Sequence, residues 1–429
     1  MPKFNDSALG RGFKLGKLGL SLTGSYLGYQ LQNLLRSPKA RDEGRRRFRQ
    51  RSSRQVRLEL ESLKGPVMKL GQILSLQSHL LPPEIIAELA RLQMRAPGMH
   101  PTLARAQFKS SLGSYPEELF GEFDPEPFAA ASLGQVHRAI AKDGQRVAVK
   151  IQYPAIRAAI ENDFKLLRSA TLPGRLTGHA PLALLEEVRR GFLEETDYMQ
   201  EGRNADFFRH QLRRFSYLSI PQIRWDLTTE RVLTMAFVEG TPASEFLETR
   251  PSQVTRDILG ARLFELYHYQ VQRLQALHAD HHPGNYLFLD DGRIGLVDFG
   301  CVKRFTMNLA DVSRACVERS WLQNDKKAKE VLQIVFGPSI TLARGRGMLI
   351  HFETLADILF PLAGDRRVDF GKPSLLNGLS TALGKAVRHK LANPEFAFIS
   401  RAELGLYSLL HQLGARVNAT EICRRTGEW

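Results

Sequence analysis

The chain has 429 residues, 43% of them hydrophobic, and a formal net charge of +15. That is room for a large core and more than one sub-domain. Its three cysteines (Cys301, Cys316, Cys423) are too few and too scattered for a disulfide framework or a cysteine zinc site, and they point to a reducing compartment.

The excess charge is uneven. Arg36 to Arg57 carries ten Lys/Arg against Asp42 and Glu43, a local +8. A basic arm of this kind meets anionic lipid or nucleic acid. The stretch before it, "LGLSLTGSYLGYQLQNLL" at 18–35, favours lipid. It is leucine-rich and uncharged, but Ser21, Thr23, Gln30, Gln32 and Asn33 make it too polar for a span. An amphipathic segment lying in the interface, followed by arginines drawn to anionic headgroups, fits better. There is no secretory signal pattern. Residues 1–57 therefore read as a membrane-associating segment, and no nucleic-acid partner is expected.

Helical periodicity follows from about residue 58, with Pro82 and Pro83 dividing two helices. From Phe128 to Lys150 the pattern turns to strands: Gly134 to Ala139, a turn at Asp143-Gly144, then Gln145 to Lys150. Helical signal returns over about 155–215. "RVLTMAFVEG" at 231–240 reads as a short buried strand running into a linker. The rest is mostly helical, with brief strands at Tyr286 to Leu289 and Arg293 to Val297. The expectation is an α+β, bilobal, kinase-like fold. It comprises a helical extension at 58–120, a β-rich lobe at 121–238 and a helical lobe at 239–429.

The chemistry-bearing motifs come in kinase order. On the pattern G-x-G-x-x-G-x-V, the glycine positions fall on Ala129, Ala131 and Gly134, and Val136 takes the valine. Glycine there permits positive φ and close approach of backbone amides to phosphate, so two alanines should alter how a nucleotide sits. Gly134 implies that the turn survives. "VAVK" ends the next strand, making Lys150 the candidate for the α/β-phosphates. The helix after it offers Glu194, Glu195, Asp197 and Glu201 as partners, and spacing alone does not choose among them.

"LHADHHPGNYLFLDDGRIGLVDFG" is the strongest signal. It fits H-x-D-x-x-x-x-N with His278, Asp280 and Asn285, and then delivers Asp298-Phe299-Gly300. Asn285 and Asp298 are the Mg²⁺ candidates, while Asp280 orients or deprotonates the attacking oxygen. His278 reads as a framework residue. A zinc cluster of His278, His281 and His282 lacks the ligands to complete it. After Gly300 the chain passes to helical sequence with no A-P-E, so the usual platform for a protein substrate is missing.

These residues resemble the UbiB/AarF/ADCK family of atypical kinase-like proteins. "KLGQ" at 69–72 matches its K-x-G-Q signature, "AAAS" at 129–132 its alanine-rich loop, and "ETD" at 195–197 its E-x-D element. "HADHHPGN" departs from the family's H-A-D-P-H-P-G-N at His281, a change expected to loosen the loop. The resemblance implies K-x-G-Q helices folded over the active site, which adds Lys69, Gln72, Glu195 and Asp197 to it, and it makes Glu201 the partner of Lys150. It implies ATP or ADP with Mg²⁺, held by Ala129, Ala130, Ala131, Ser132, Gly134, Val136 and Lys150, and by Met235, Phe237 and Val238 beyond. It also implies work in ubiquinone biosynthesis or isoprenoid-lipid homeostasis, with a lipid or quinone-pathway molecule or enzyme as partner. A homodimer is admitted. The expected place is the cytoplasmic face of a bacterial inner membrane or the cytoplasm, ahead of a mitochondrial inner membrane. Two alternatives stand beside this reading: a nucleotide-sensing scaffold without useful turnover, and a small-molecule kinase of the aminoglycoside/choline type.

Overall fold

The computed structural model of the chain describes residues 99–429 apart from 132, 172–185, 187–188, 192, 363–366 and 388–392. The expected membrane-associating segment, the K-x-G-Q helices with Lys69 and Gln72, and Ser132 lie outside the described residues. The chain divides into two compact units: residues up to Gln200 with Ile223–Ala236, and Glu201–Gln222 with Phe237–Trp429.

The first unit is built on an antiparallel sheet. Its strands are β1 (Phe120–Phe123), β2 (Ala129–Ala131), β3 (Gly134–Ala141), β4 (Arg146–Gln152) and β5 (Val232–Ala236). The order is β1-β3-β4-β5, with β2 also paired to β3. Period-two alternation decides its faces. In β4, Val147, Val149 and Ile151 point to one side. There they form a core with Phe108 and Ala104 of helix α1 (Pro101–Leu112), and with Phe120 and Val232. Ala148, Lys150 and Gln152 point to the other. The β3–β4 turn is the expected Asp143-Gly144: Gly144 takes φ +85°, and the Asp143 carboxylate accepts from the Gln145 N–H at 3.0 Å. On the core side, the Gln135 amide bonds both backbone groups of Met99, at 2.6 and 3.3 Å. This fastens the start of the described chain to β3.

The second unit holds the motif-rich sequence. Helix α2 (Tyr198–Gln211) begins in the first unit and continues into this one. Helix α3 (Gln253–Tyr269) runs into one π-turn, Gln270–Leu274. Gln275 then reverses the chain at φ +48°, and the strand Ala276–His278 follows. That strand pairs antiparallel with Val302–Arg304, placing His278 opposite Val302. A four-stranded sheet orders Leu218–Ser219, Ile294–Leu296, Tyr286–Phe288 and Thr241–Pro242 side by side. Helix α4 (Leu309–Glu318) starts nine residues past Gly300, capped by Asn308, so the long activation segment of a protein kinase is missing, as expected. The later helix α5 (Pro394–Leu413) is capped by Asn393 and Gly414. It is joined to α3 by the Tyr267 hydroxyl, which donates to the Ile399 carbonyl at 3.2 Å. Among the described residues no helix is long and apolar enough to cross a membrane.

Candidate active site

Candidate residues occur in both units. In the first, the sheet register sets Ala129, Val136, Lys150 and Leu233 in one row across four strands. Residues directly opposite in an antiparallel sheet share a face. Ala129, Ala131, Gly134, Val136, Lys150 and Met235 therefore lie on the face away from the α1 core. Ala130 does not. It pairs with Gln135, so its side chain belongs to the other face.

The alanine stretch is strand, not loop. None of Ala129, Ala130 or Ala131 has positive φ, so a Cβ costs nothing in this conformation. Gly134 closes the expected turn by pairing with Ala131, and it serves a second purpose. It opens β3, and a Cβ on it would collide with the Ile151 carbonyl and lie 2.8 Å from the Tyr198 hydroxyl. Glycine is needed for close approach, not for a left-handed turn.

Lys150 is 5% exposed, and its Nζ sits 5.0 Å from the centroid of the Tyr198 ring. Two residues along the same face, Gln152 donates to the Thr196 carbonyl at 2.9 Å. Thr196 is the middle of E-T-D, and its hydroxyl accepts from Arg157 at 3.3 Å. The Lys150 strand thus holds the turn that carries Glu195 and Asp197. Asp197 has a local task as well: its carboxylate accepts from the Gln200 N–H at 2.9 Å and caps α2. Tyr198, which sequence reasoning passed over, is fully buried beneath both Lys150 and Gly134.

The second unit assembles the rest. Asn285 donates through Nδ2 to the Asp280 carboxylate at 2.8 Å and to its carbonyl at 3.2 Å. The other Asp280 oxygen accepts from the His282 N–H at 3.2 Å. With its amide nitrogen committed, Asn285 has its side-chain oxygen Oδ1 left for a cation. Asp298 stands at φ +67°, a left-handed conformation that aspartate tolerates better than most L-residues. Its carboxylate accepts from the Gly300 N–H at 3.1 Å, and its carbonyl accepts from His278 Nε2 at 2.7 Å. His278 is the framework residue expected. Phe299 is buried, its carbonyl held by Asn204 at 3.1 Å and its ring 5.7 Å from Phe208.

Asn285 Oδ1 and the Asp298 carboxylate are hard oxygen donors suited to Mg²⁺, which keeps waters and phosphate in its remaining positions. Among the described residues no group of three His, Cys, Asp or Glu side chains forms a fuller metal cage. Glu201 lies in the second unit's part of α2, buried at 3% exposure; Phe237 and Val238 open that unit's second segment, Val238 beside Gly295.

His281 does not loosen its loop. It is 8% exposed, with Nδ1 2.5 Å from the Tyr286 hydroxyl and the two rings 12° from parallel. Burial, then the neighbouring His278, pushes its pKa down to about 3. Beneath it, α5 comes so close at Gly405 that a Cβ there would lie 3.3 Å from His281 Cβ. Two residues earlier on α5, burial pushes the Glu403 carboxyl up to about 7 against the Tyr407 hydroxyl that donates to it.

The ABC1 atypical kinase-like domain description matches residues 91–332, just over half of the sequence. The chain belongs to the ABC1 atypical kinase-like family. Within it, the chain is similar to the Arabidopsis thaliana chloroplastic protein Activity of BC1 Complex Kinase 7. The two are 34% identical over 278 residues, covering 63% of this chain and 39% of that protein. It is 32% identical over 334 residues to the probable protein kinase UbiB of Aeromonas hydrophila, covering 70% of this chain and 61% of the other. The chain thus spans about two fifths to three fifths of these curated relatives. Among solved structures, the Rv3197–erythromycin complex from Mycobacterium tuberculosis superposes with a TM-score of 0.61 at 26% identity. It covers 89% of this chain and 97% of that one. The kinase-like α+β fold read from the motifs is the fold of the ABC1 family member described here.

Proposed function

We propose that this chain is a Mg²⁺-dependent nucleotide enzyme, an atypical kinase or ATPase, serving ubiquinone biosynthesis or related isoprenoid-lipid metabolism at a membrane. The observation that carries the reading is the Asp280–Asn285 bond in one loop, beside Asp298 on a left-handed turn whose carbonyl His278 holds. Bound Mg·ATP would supply the phosphoryl group and a cation to spread its charge. Lys150, its Nζ 5.0 Å from the Tyr198 ring centroid, binds the α/β-phosphates, and Glu201 is assigned as its partner. Asn285 Oδ1 and the Asp298 carboxylate hold the cation. Asp280, its two oxygens fixed by Asn285 and the His282 N–H, orients the attacking hydroxyl or water and takes its proton. Lys69, Gln72, Glu195 and Asp197 are assigned to the face where the acceptor enters. Membrane contact is assigned to the amphipathic and basic residues 1–57, giving peripheral attachment.

The test is phosphate release from Mg·ATP by the full chain, with and without anionic liposomes or phenolic lipid precursors, for wild type and Asp298→Asn. Release that needs Asp298 and rises with lipid supports the enzyme. Binding without release favours the scaffold, and turnover of soluble hydroxylated substrates favours the small-molecule kinase. Quinone profiling of cells lacking the protein, complemented with either form, places the activity in its pathway.

A further inference from the structure

Asp280 and Asn285 are five residues apart and bonded to each other; so are His281 and Tyr286, each one residue further on. The first pair is the partly exposed tie that presents the catalytic carboxylate and the cation ligand. The second is its buried counterpart. We infer that His281 is a positioning residue for the reaction proposed above, its bond to Tyr286 setting the separation of Asp280 and Asn285 from below.

Three observations support this. The His281–Tyr286 pair is packed and does not merely touch: besides its 12° stacking, His281 lies 5.6 Å from the Tyr267 ring and against α5 at Gly405. Helix α5 is in turn held to α3 through Tyr267, so the tie rests on two helices. Second, Tyr286 opens the strand Tyr286–Phe288, paired in register with Ile294–Leu296, so its end of the tie is fixed by the sheet. Third, the tie is buried at both ends: His281 and Tyr286 are 8% and 4% exposed and Nδ1 lies 2.5 Å from the hydroxyl, so no water competes for the bond. A one-residue offset then transmits the tie directly: a shift of His281 moves Asp280, and a shift of Tyr286 moves Asn285.

Tyr286→Phe removes the hydroxyl and keeps the ring, and His281→Asn keeps an acceptor near the Nδ1 position. In Tyr286→Phe the loop amides of His282 and Asn285 should exchange about tenfold faster in the nucleotide-free protein. Its kcat for Mg·ATP turnover should fall about tenfold, as small misplacements of catalytic groups do, with KM within about twofold. His281→Asn should stay within about threefold of wild type. In an Asp280→Ala background Tyr286→Phe should bring no further loss, because the carboxylate it positions is gone. Unchanged loop exchange, or an undiminished further loss in the Asp280→Ala background, overturns the inference. The exchange arm needs no nucleotide. A wild-type chain that turns over no ATP would therefore overturn the reading this inference rests on, while the exchange arm still decides the tie.

Discussion

Gly134 and Tyr198 occupy one another's space: the hydroxyl of Tyr198 lies 2.8 Å from where a Gly134 Cβ would stand. The only atom Gly134 lacks is the one that the tyrosine excludes. Gly134→Ala should therefore overpack the sheet against both the Ile151 carbonyl and this hydroxyl, costing about 1–3 kcal/mol of stability. Tyr198→Phe should recover part of that loss in the double variant, but not all, because the Ile151 backbone remains. Chemical denaturation of the four chains checks this, and full additivity would show that the two residues do not meet.

Asp298→Asn and Lys150→Ala should abolish Mg-dependent nucleotide turnover; without ligand Asp298→Asn should melt close to wild type, while Lys150→Ala, which truncates a buried side chain, should melt lower. Asparagine keeps the oxygen that accepts from Gly300 and, like aspartate, tolerates the left-handed backbone. Asp298→Asn removes charge meant for the cation, and Lys150→Ala removes charge meant for the phosphates. Wild-type rates in either variant would remove these residues from the site.

Ala131→Gly should leave the fold intact. Ala131 is extended and paired with Gly134, so the change adds unfolded-chain freedom worth about 0.5–1 kcal/mol and no strain. Its methyl shares the Lys150 face, so its loss should alter affinity for MgATP or MgADP without eliminating binding. Titration of both nucleotides is the measurement, and identical affinities would make the alanines passive.

Glu403 and the buried histidines give stability opposite dependences on pH. The Glu403 carboxyl titrates near 7 when folded against 4.5 ordinarily, so the native chain holds this proton more tightly. Its contribution is full below about pH 4.5 and is lost as pH rises through about 7. His268 and His281, both pushed down to about 3 chiefly by burial, contribute fully above pH 6.5 and lose it as pH falls toward 3. Glu403→Gln, which can still accept from Tyr407, should flatten the alkaline limb. It should melt higher than wild type at about pH 8 and nearly equal at about pH 5. A variant that tracks wild type at every pH would place the alkaline limb elsewhere.

Deleting residues 1–54 should leave a nucleotide-binding protein that sediments poorly with anionic liposomes, and salt should weaken sedimentation of the intact chain. Undiminished sedimentation of the shortened chain would move the attachment surface elsewhere.

The β3–β4 hairpin was legible because valines alternate with polar residues around an Asp-Gly turn. The catalytic loop was legible because its spacing is dictated by the phosphate chemistry it serves. Gly134 was legible as the residue that closes the β2–β3 turn, but its need for close approach to Ile151 and Tyr198 was not, because both lie far along the chain. The Ala129–Ala131 strand has no β-branched or alternating signal, and only its partner reveals it. The pairing of Ala276–His278 with Val302–Arg304 joins three-residue strands across two intervening ones, beyond any local pattern. Tyr198 carried a faint signal, an aromatic directly after E-T-D. His281 was judged by the proline it displaces and not by the buried slot it fills.

The bond from Gln152 to Thr196 makes β4 a ruler graduated in units of two. Lys150 and Gln152 share a face only because an even number of residues separates their roles. One residue added or removed between them would turn the lysine into the α1 core or send the anchoring amide there in its place. This stretch can therefore vary in composition far more freely than in length, and changes in its length must come in pairs.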